Sequence, residues 1–548
     1  MYRTSLPLLL SSVLSTGLVA QEPAPAQAPA LKMEAHTLEV VCGQSLMIPA
    51  KLVGPVAGKL LWTASGDASI DDAGRFLAQA PGTYFVNVKS EAMPGLADVV
   101  RVNVAWKPSA GPVAVLLPRK VELLPGQRFH FSLEAFGTGK QPGIWKTTGG
   151  SVDATGQFVA PSKPGTYTVT VSYPKSKGLK VLAEVTVVAT PAKDAKKIIA
   201  YTLLERFPGN KAELQAFDAS SVTHMNIAFG QIKDGQIVAA DPARDLGREG
   251  AFAALRSVRH RHPHLKLLLS LGGWGATGFS DAALSKDSRA RFIASALDFL
   301  QKEDLDGLDL DWEYPCDPAT GGRPEDTVNY TLFVTELRQA FDAAAPKLGK
   351  RLLLTAATPA GPSKIAAYEW AKVHTQMDFI NLMTYDYHGS WEPFAGFNAP
   401  LNPMAGDGFG IRTFNVRTTV ELYLKAGVPK DKLNVGVPFY GRSYTIAKDA
   451  QPRAGEPASS STAGEPLFRN LDKDFPAPLW ERGWNPEALQ PTLWNPASRT
   501  WINYDDEDSI RLKAAYIVSQ DLGGAMFWEL GQDDGRLTKA LAQGMGRK

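Results

Sequence analysis

The sequence is poor in cysteine: only Cys42 and Cys316 occur in 548 residues. Two thiols make no disulfide framework, and these two fall in regions read below as separate domains, so no pairing between them is expected. Excess charge of one sign is lacking too. Lys plus Arg number 58 against 56 Asp plus Glu, a formal net charge of +2, with no basic stripe. That balance excludes nucleic acid as a partner and favours an uncharged one. Metal-ligand spacing is missing as well. His224 sits in an apolar run and His388 in a glycine-flanked loop, neither with the spaced partners of a metal site or a nucleophilic triad. No metal and no other cofactor is expected. The glycine-rich stretch 406–410 follows no strand and opens no helix, so it is not a nucleotide loop. The apolar run at 6–18 is too short to cross a bilayer.

That run follows Arg3 and precedes Ala20 and a polar stretch, the pattern of a secretory signal peptide over 1–20. Secretion, to the exterior or to a periplasm, is expected, with no membrane attachment of the mature protein. Alternating Pro and Ala over 21–30 reads as an unstructured spacer. The chain is then long enough for roughly two to four domains.

Between 31 and 190 the sequence repeats itself. Gly43-Gln44, Trp62, Gly74, Phe76 and Pro81-Gly82-Thr83-Tyr84 recur as Gly126-Gln127, Trp145, Gly156, Phe158 and Pro164-Gly165-Thr166-Tyr167. Short alternating segments bounded by Gly, Pro and Asp turns predict two tandem β-sandwiches, at 31–107 and 112–190, each with a core tryptophan. The shared patterns Asp-x-x-Gly-x-Phe and Pro-Gly-Thr-Tyr resemble those of bacterial immunoglobulin-like domains. Period-two placement makes their aromatics core residues rather than a sugar-stacking platform, and a spacer role is expected.

From 196 the texture changes to apolar runs alternating with helical patterns. Eight such runs lie at 198–202, 224–229, 265–271, 308–312, 352–356, 379–384, 433–437 and 525–528. Eight strand-helix units predict an α/β (β/α)8 TIM barrel over 196–548. The interval between the seventh run and the helical pattern near Asp508 far exceeds the roughly two to six residues of a βα loop, so a small α+β insertion is expected at 443–507.

Residues 306–313 read Asp-Gly-Leu-Asp-Leu-Asp-Trp-Glu. In an extended strand alternate side chains share a face, which puts Asp309, Asp311 and Glu313 together. Asp306 breaks the parity and reads as structural. Neighbouring carboxyls raise one another's proton affinity, and a site that keeps one acid protonated near neutral pH holds a proton donor. Leu305, Leu308, Leu310 and Trp312 fill the intervening positions, leaving no exposed face. A strand buried on both sides with carboxyls at its carboxyl end is how a barrel enzyme places its chemistry.

The segments Ser270-Leu271-Gly272-Gly273-Trp274, 306–315, 383–391, 436–442 and 523–529 resemble, in order and spacing, those of glycoside hydrolase family 18, the chitinase family. The resemblance covers 197 to about 534, and the insertion points to the subgroup that carries an α+β domain there. What it implies is retaining hydrolysis of β-1,4-linked N-acetylglucosamine without an enzymic nucleophile. Glu313 would be the acid and base, Asp311 would hold the substrate's acetamido N–H, Asp309 would share a proton with Asp311, and Tyr385 would donate to the acetamido oxygen. Asp386 would contact the sugar nearby. Trp528 would floor the central subsite, with Trp274 and Trp391 as platforms on the leaving-group side and Tyr201, Phe229 and Met383 lining the pocket. Phe229 and Met383 fit barrel filler equally well, and Arg442 fits either a substrate contact or an ion pair that fastens the insertion. Cys316 has no role in this chemistry.

The implied partner is chitin or a chito-oligosaccharide, acted on by a monomer. No separate carboxyl-terminal chitin-binding module is expected, so hold on crystalline chitin is expected to rest on the two sandwiches or to be absent. Two other readings stay open: a family relative directed at peptidoglycan or the N-glycan core, and a non-catalytic chitin lectin, against which Glu313, Asp311 and Tyr385 all speak.

Overall fold

The computed structural model describes residues 29–548 except 42–43, 57, 65–67, 79–81, 94, 106–111, 140, 177, 190–195, 205–216, 240–249, 405–412 and 548. The expected signal peptide, most of the spacer, Cys42 and the glycine-rich stretch 406–410 lie outside the described residues.

The repeat in sequence is a repeat in topology. Each amino-terminal unit has a four-stranded sheet whose first strand pairs parallel and whose others pair antiparallel. In the first unit it runs Thr37–Val41, Ala97–Ala105, Gly82–Ser90, Leu60–Ala64; in the second it runs Lys120–Leu123, Leu179–Val187, Gly165–Tyr173, Ile144–Thr147. A three-stranded and a two-stranded sheet complete each unit. The Asp-x-x-Gly-x-Phe pattern has a physical content that both copies share. Asp71 and Asp153 accept the backbone N–H groups two and four residues on, closing a tight turn. Gly74 and Gly156 take positive φ, and a Cβ on either would come within 3 Å of the indole of Trp62 or Trp145. Phe76 and Phe158 then fall fully inside.

Eight parallel strands follow: β1 (Lys197–Leu203), β2 (His224–Lys233), β3 (Lys266–Gly272), β4 (Gly307–Asp311), β5 (Leu353–Thr358), β6 (Phe379–Leu382), β7 (Leu433–Pro438) and β8 (Gly524–Trp528). Each pairs with the next, and β8 pairs back onto β1, so the sheet closes into a barrel at the eight expected runs. Asp306, just before β4, accepts from the Leu267 N–H and pairs with Arg259 at the closed end, a structural position. His224 is partly buried at the same end, edge-on to Phe379. Burial pushes its imidazole down to about 3, with Lys197 and Lys266 adding to the effect, so it is neutral.

Between β7 and β8 the chain builds a five-stranded antiparallel sheet, in the order Ala458–Ser460, Arg442–Ile446, Thr500–Asn503, Gln490–Asn495, Glu481–Asn485. It begins at Arg442, one residue before the expected boundary. Its helical content is one short helix, Leu471–Asp474, and a 3-10 turn, so this segment is mostly β. Phe397 packs edge-on against Trp501 in its own small core.

The second sandwich is not a free spacer. Its buried residues belong to the same continuous hydrophobic cluster as the barrel. Glu122 pairs with Arg417, whose guanidinium lies 4.5 Å over the Tyr516 ring. No helix among the described residues is long and apolar enough to cross a membrane.

One buried charge pair ties the inserted sheet to the barrel. Lys513, on the helix Glu507–Ser519, donates to Asp505 at 2.6 Å with both side chains fully buried, and Asp505 also accepts from Gln490 and Ser509. Removing one partner strands the other charge in the interior, at a cost of about 3–5 kcal/mol. Lys513→Met is expected to lower the unfolding free energy of the barrel transition by about that amount in a denaturant titration. An unchanged midpoint would mean that the pair contributes no net stability.

Candidate active site

The barrel interior at the level of β4 is polar rather than aliphatic. Asp309 is fully buried and accepts from the hydroxyls of Tyr201 (2.8 Å, β1), Ser270 (2.9 Å, β3) and Thr355 (2.5 Å, β5). Asn381 on β6 donates to the Tyr201 hydroxyl, and Asn434 on β7 donates to Asn381. Burial still pushes the Asp309 carboxyl above its ordinary range, against the lowering effect of those hydroxyls.

Two residues on, Asp311 ends β4, and Glu313 follows just beyond the strand. Both line an open cavity of about 580 Å³ at the carboxyl ends of the strands. Gly272 permits the close approach of β3 to this point. Its φ is +117°, and a Cβ there would lie 2.1 Å from the Asp311 carbonyl oxygen. The Gly273 N–H donates to that same oxygen at 3.0 Å. Asp311 is buried, and its Oδ1 has no hydrogen-bond partner. Burial, then the charge of Glu313, then that of Asp309 hold its carboxyl well above the usual range. Burial likewise pushes Glu313 up to about 7; a hydrogen bond from Tyr314 opposes the shift and the Asp386 carboxylate adds to it. The pair therefore stores a proton near neutrality, as general acid chemistry requires.

The cavity walls are aromatic. Trp528 stacks on Phe229, with centroids 5.5 Å apart and planes 22° apart, and both line the cavity with Met383. Trp274 and Trp391 stand on its rim, 78% and 60% exposed. So large an exposed indole has a flat apolar face open to a ligand. Tyr385 reaches the cavity, and its hydroxyl lies 3.9 Å from the Met526 sulfur. Burial and then the Asp311 charge push that phenol up, so it stays a donor.

Tyr201 does not line the cavity: it is buried below, holding Asp309. Arg442 does not line it either. Its guanidinium is committed to Asp386 (2.5 Å) and to Glu465 of the inserted sheet, between the rings of Trp391 and Tyr440. These ion pairs fasten the inserted sheet to the cavity wall. Asp386 adopts φ +55° and accepts in addition from the Tyr440 hydroxyl at 2.6 Å, so it faces the cavity in a fixed pose.

Eight lining residues were not anticipated, among them Tyr314, Lys364, Tyr387 and Tyr440. Tyr314 directly follows the acid, and its ring lies under the Lys364 ammonium at 4.9 Å, with Lys364 also paired to Asp317. Tyr440 stands within the segment 436–442 singled out above; Lys364 left no signal. Cys316 is a free thiol near Thr327, outside the cavity lining. Among the described residues no group of three or more His, Cys, Asp or Glu could hold a metal ion.

A family model described as glycosyl hydrolases family 18 matches residues 198–533. The chain is 36% identical over 399 residues to chitinase A1 of Niallia circulans, covering 62% of this chain and 57% of that relative, so it spans little more than half of the relative's length. It is similar in structure to a glycoside hydrolase family 18 N-acetylglucosaminidase from Paenibacillus barengoltzii, at 35% identity and TM-score 0.57, over 64% of this chain and 99% of that one. It is also similar to chitinase ChiW of a Paenibacillus species, at 25% identity and TM-score 0.58, over 96% of this chain and 43% of that one, a match that takes in the β-rich units as well.

The raised Glu313 carboxyl has a thermodynamic signature. Folding favours its protonated form, so its contribution to stability is intact below about 4.5 and is lost as pH rises through about 7. Glu313→Gln removes that loss. The variant is expected to melt higher than the parent at pH 8, with the gap closing by pH 4. A gap of constant size across that range would show that Glu313 does not titrate there.

Proposed function

The chain belongs to glycoside hydrolase family 18, and from that membership and the cavity chemistry we infer that the protein is a chitinase, cleaving β-1,4 linkages between N-acetylglucosamine residues with retention of configuration. The observation that carries the reading is the unpartnered, buried Asp311 Oδ1 beside a carboxyl that holds its proton to about pH 7. An acetamido N–H is the donor such an oxygen would take from this substrate.

Glu313 protonates the glycosidic oxygen as the bond to the anomeric carbon breaks. The substrate's own acetamido oxygen attacks that carbon, held in line by Asp311 on the N–H and by the Tyr385 hydroxyl on the oxygen. Positive charge developing on the resulting oxazolinium ring is offset by Asp311, which shares its proton with Asp309. Glu313, now a carboxylate, takes a proton from water as that water opens the ring, and the double displacement retains configuration. Trp528 floors the distorted sugar, and Trp274 and Trp391 carry pyranose faces on the leaving-group side. Asp386, fixed by Arg442 and Tyr440, accepts a sugar hydroxyl. The resemblance of the two β-rich units to immunoglobulin-like domains, secretion directed by residues 1–20, and a monomeric state belong to the same proposal.

Incubation with chitohexaose followed by mass spectrometry tests it. Dimers and trimers are expected, with turnover reduced by roughly 10²–10⁴ in Glu313→Gln while binding survives. Release of monomers alone would instead favour an N-acetylglucosaminidase, the activity named for the Paenibacillus barengoltzii structure. Intact substrate with the parent protein would sink the reading. For secretion, the mature amino terminus recovered from the exported protein is expected close to residue 21; an exported protein that keeps residues 1–20 would overturn it.

A further inference from the structure

His388 has no part in the chemistry proposed above, yet its side chain is completely buried at the foot of the loop that carries Trp391. Phe394 and Phe414 meet the imidazole edge-on, with centroids 5.9 and 5.7 Å away. The backbone at Gly396 passes so close that a Cβ there would lie 2.2 Å from the ring. A ring so confined has a fixed orientation, and this one aims Nδ1 at Glu392 Oε2, 2.8 Å away. A buried polar nitrogen is costly unless its hydrogen bond is met, so the bond fixes where the Glu392 carboxyl must stand.

Glu392 directly follows Trp391, and the chain between His388 and Glu392 closes on itself. The Glu392 N–H donates to the Gly389 carbonyl oxygen at 3.2 Å. The Trp391 indole lies back against Gly389, where a Cβ would come 2.2 Å from the ring, and the Arg442 guanidinium sits 5.1 Å from the ring centroid. With 60% of its surface exposed, the indole draws little order from burial, so its pose depends on the loop that presents it. We propose that the His388–Glu392 bond is a clasp that holds the Trp391 platform in its sugar-stacking pose before substrate arrives. His388 and Glu392 are then positioning residues for the leaving-group side of the cleft. This rests on the function proposed above. The gain is preorganisation: the platform is ordered during folding, and no affinity is lost to ordering it when the sugar binds.

Glu392→Leu in the full-length protein tests it, since it removes the acceptor and keeps comparable bulk. Its KM for chitohexaose is expected to rise roughly two- to tenfold with kcat nearly unchanged. In a Glu313→Gln background, where substrate is not consumed, the Kd for chitohexaose is expected to rise in step. Glu392→Gln keeps an oxygen that accepts from Nδ1–H and is expected to return both constants close to the parent values. A double-mutant cycle separates positioning from general stability: once Trp391→Ala has removed the indole, Glu392→Leu is expected to change KM no further. His388→Phe cuts the same bond from its other end, keeping a ring in the pocket, and gives the reading should Glu392→Leu fail to fold. Unchanged KM and Kd in the folded variants overturn the inference, and so does a loss of equal size with and without the indole. If the parent cleaves chitohexaose and these variants bind it as the parent does, the clasp alone is wrong; if the parent neither cleaves nor binds it, the functional reading falls first and the clasp with it.

Discussion

Asp309 lies inside the barrel with no exposure, and hydroxyls from three other strands converge on its two oxygens. A carboxyl taken out of water is tolerated only where its hydrogen bonds are met, so the position of each hydroxyl is fixed by the penalty of losing it. The network runs on through Tyr201, Asn381 and Asn434, tying β1, β3, β4, β5, β6 and β7 at one level. Because β4 is extended, pinning Asp309 also pins Asp311 two residues on and sets the course of the chain into Glu313. The proton held at the cleft and the polar core beneath it are thus one electrostatic object. Each acid raises the proton affinity of the next, and the buried hydroxyls keep the lowest of them in place.

The period of two in 306–313 was enough to place Asp309 within the barrel and Asp311 and Glu313 in one cavity. Glycine-flanked indoles were likewise enough to find Trp274 and Trp391, since a bulky ring beside a flexible backbone has few buried places to go. Tyr201 shows the limit of that reasoning. Alternation says that a side chain points into the barrel but not at what depth, and at its depth the ring meets Asp309 rather than the cavity. Arg442 shows another limit, because its partners Asp386 and Glu465 come from distant loops and only the folded chain brings them together. Tyr314, Lys364 and Tyr440 line the cavity from short segments after three different strands, where no strand periodicity operates. The docking of the second sandwich was invisible for the same reason. Glu122 looks like any strand-surface acid until Arg417 and Tyr516 are beside it.

The two structural repeats have taken opposite relations to the barrel. The second shares its hydrophobic core with the barrel, while the first keeps a core of its own and touches the inserted sheet through Arg101 and Glu456. Both keep the same strand register, so the difference lies in side chains: Glu122 in one, Arg101 in the other.

The pairing of Glu122 with Arg417 joins residues 295 positions apart, and the helix on which Tyr516 sits comes later still. During synthesis the second sandwich leaves the ribosome with this edge bare, and at about 5–20 residues per second it waits on the order of tens of seconds for its counterpart. The surface that ends up in the shared core is therefore a transient exposed patch on every nascent chain. That places the hazard of misassembly at this joint.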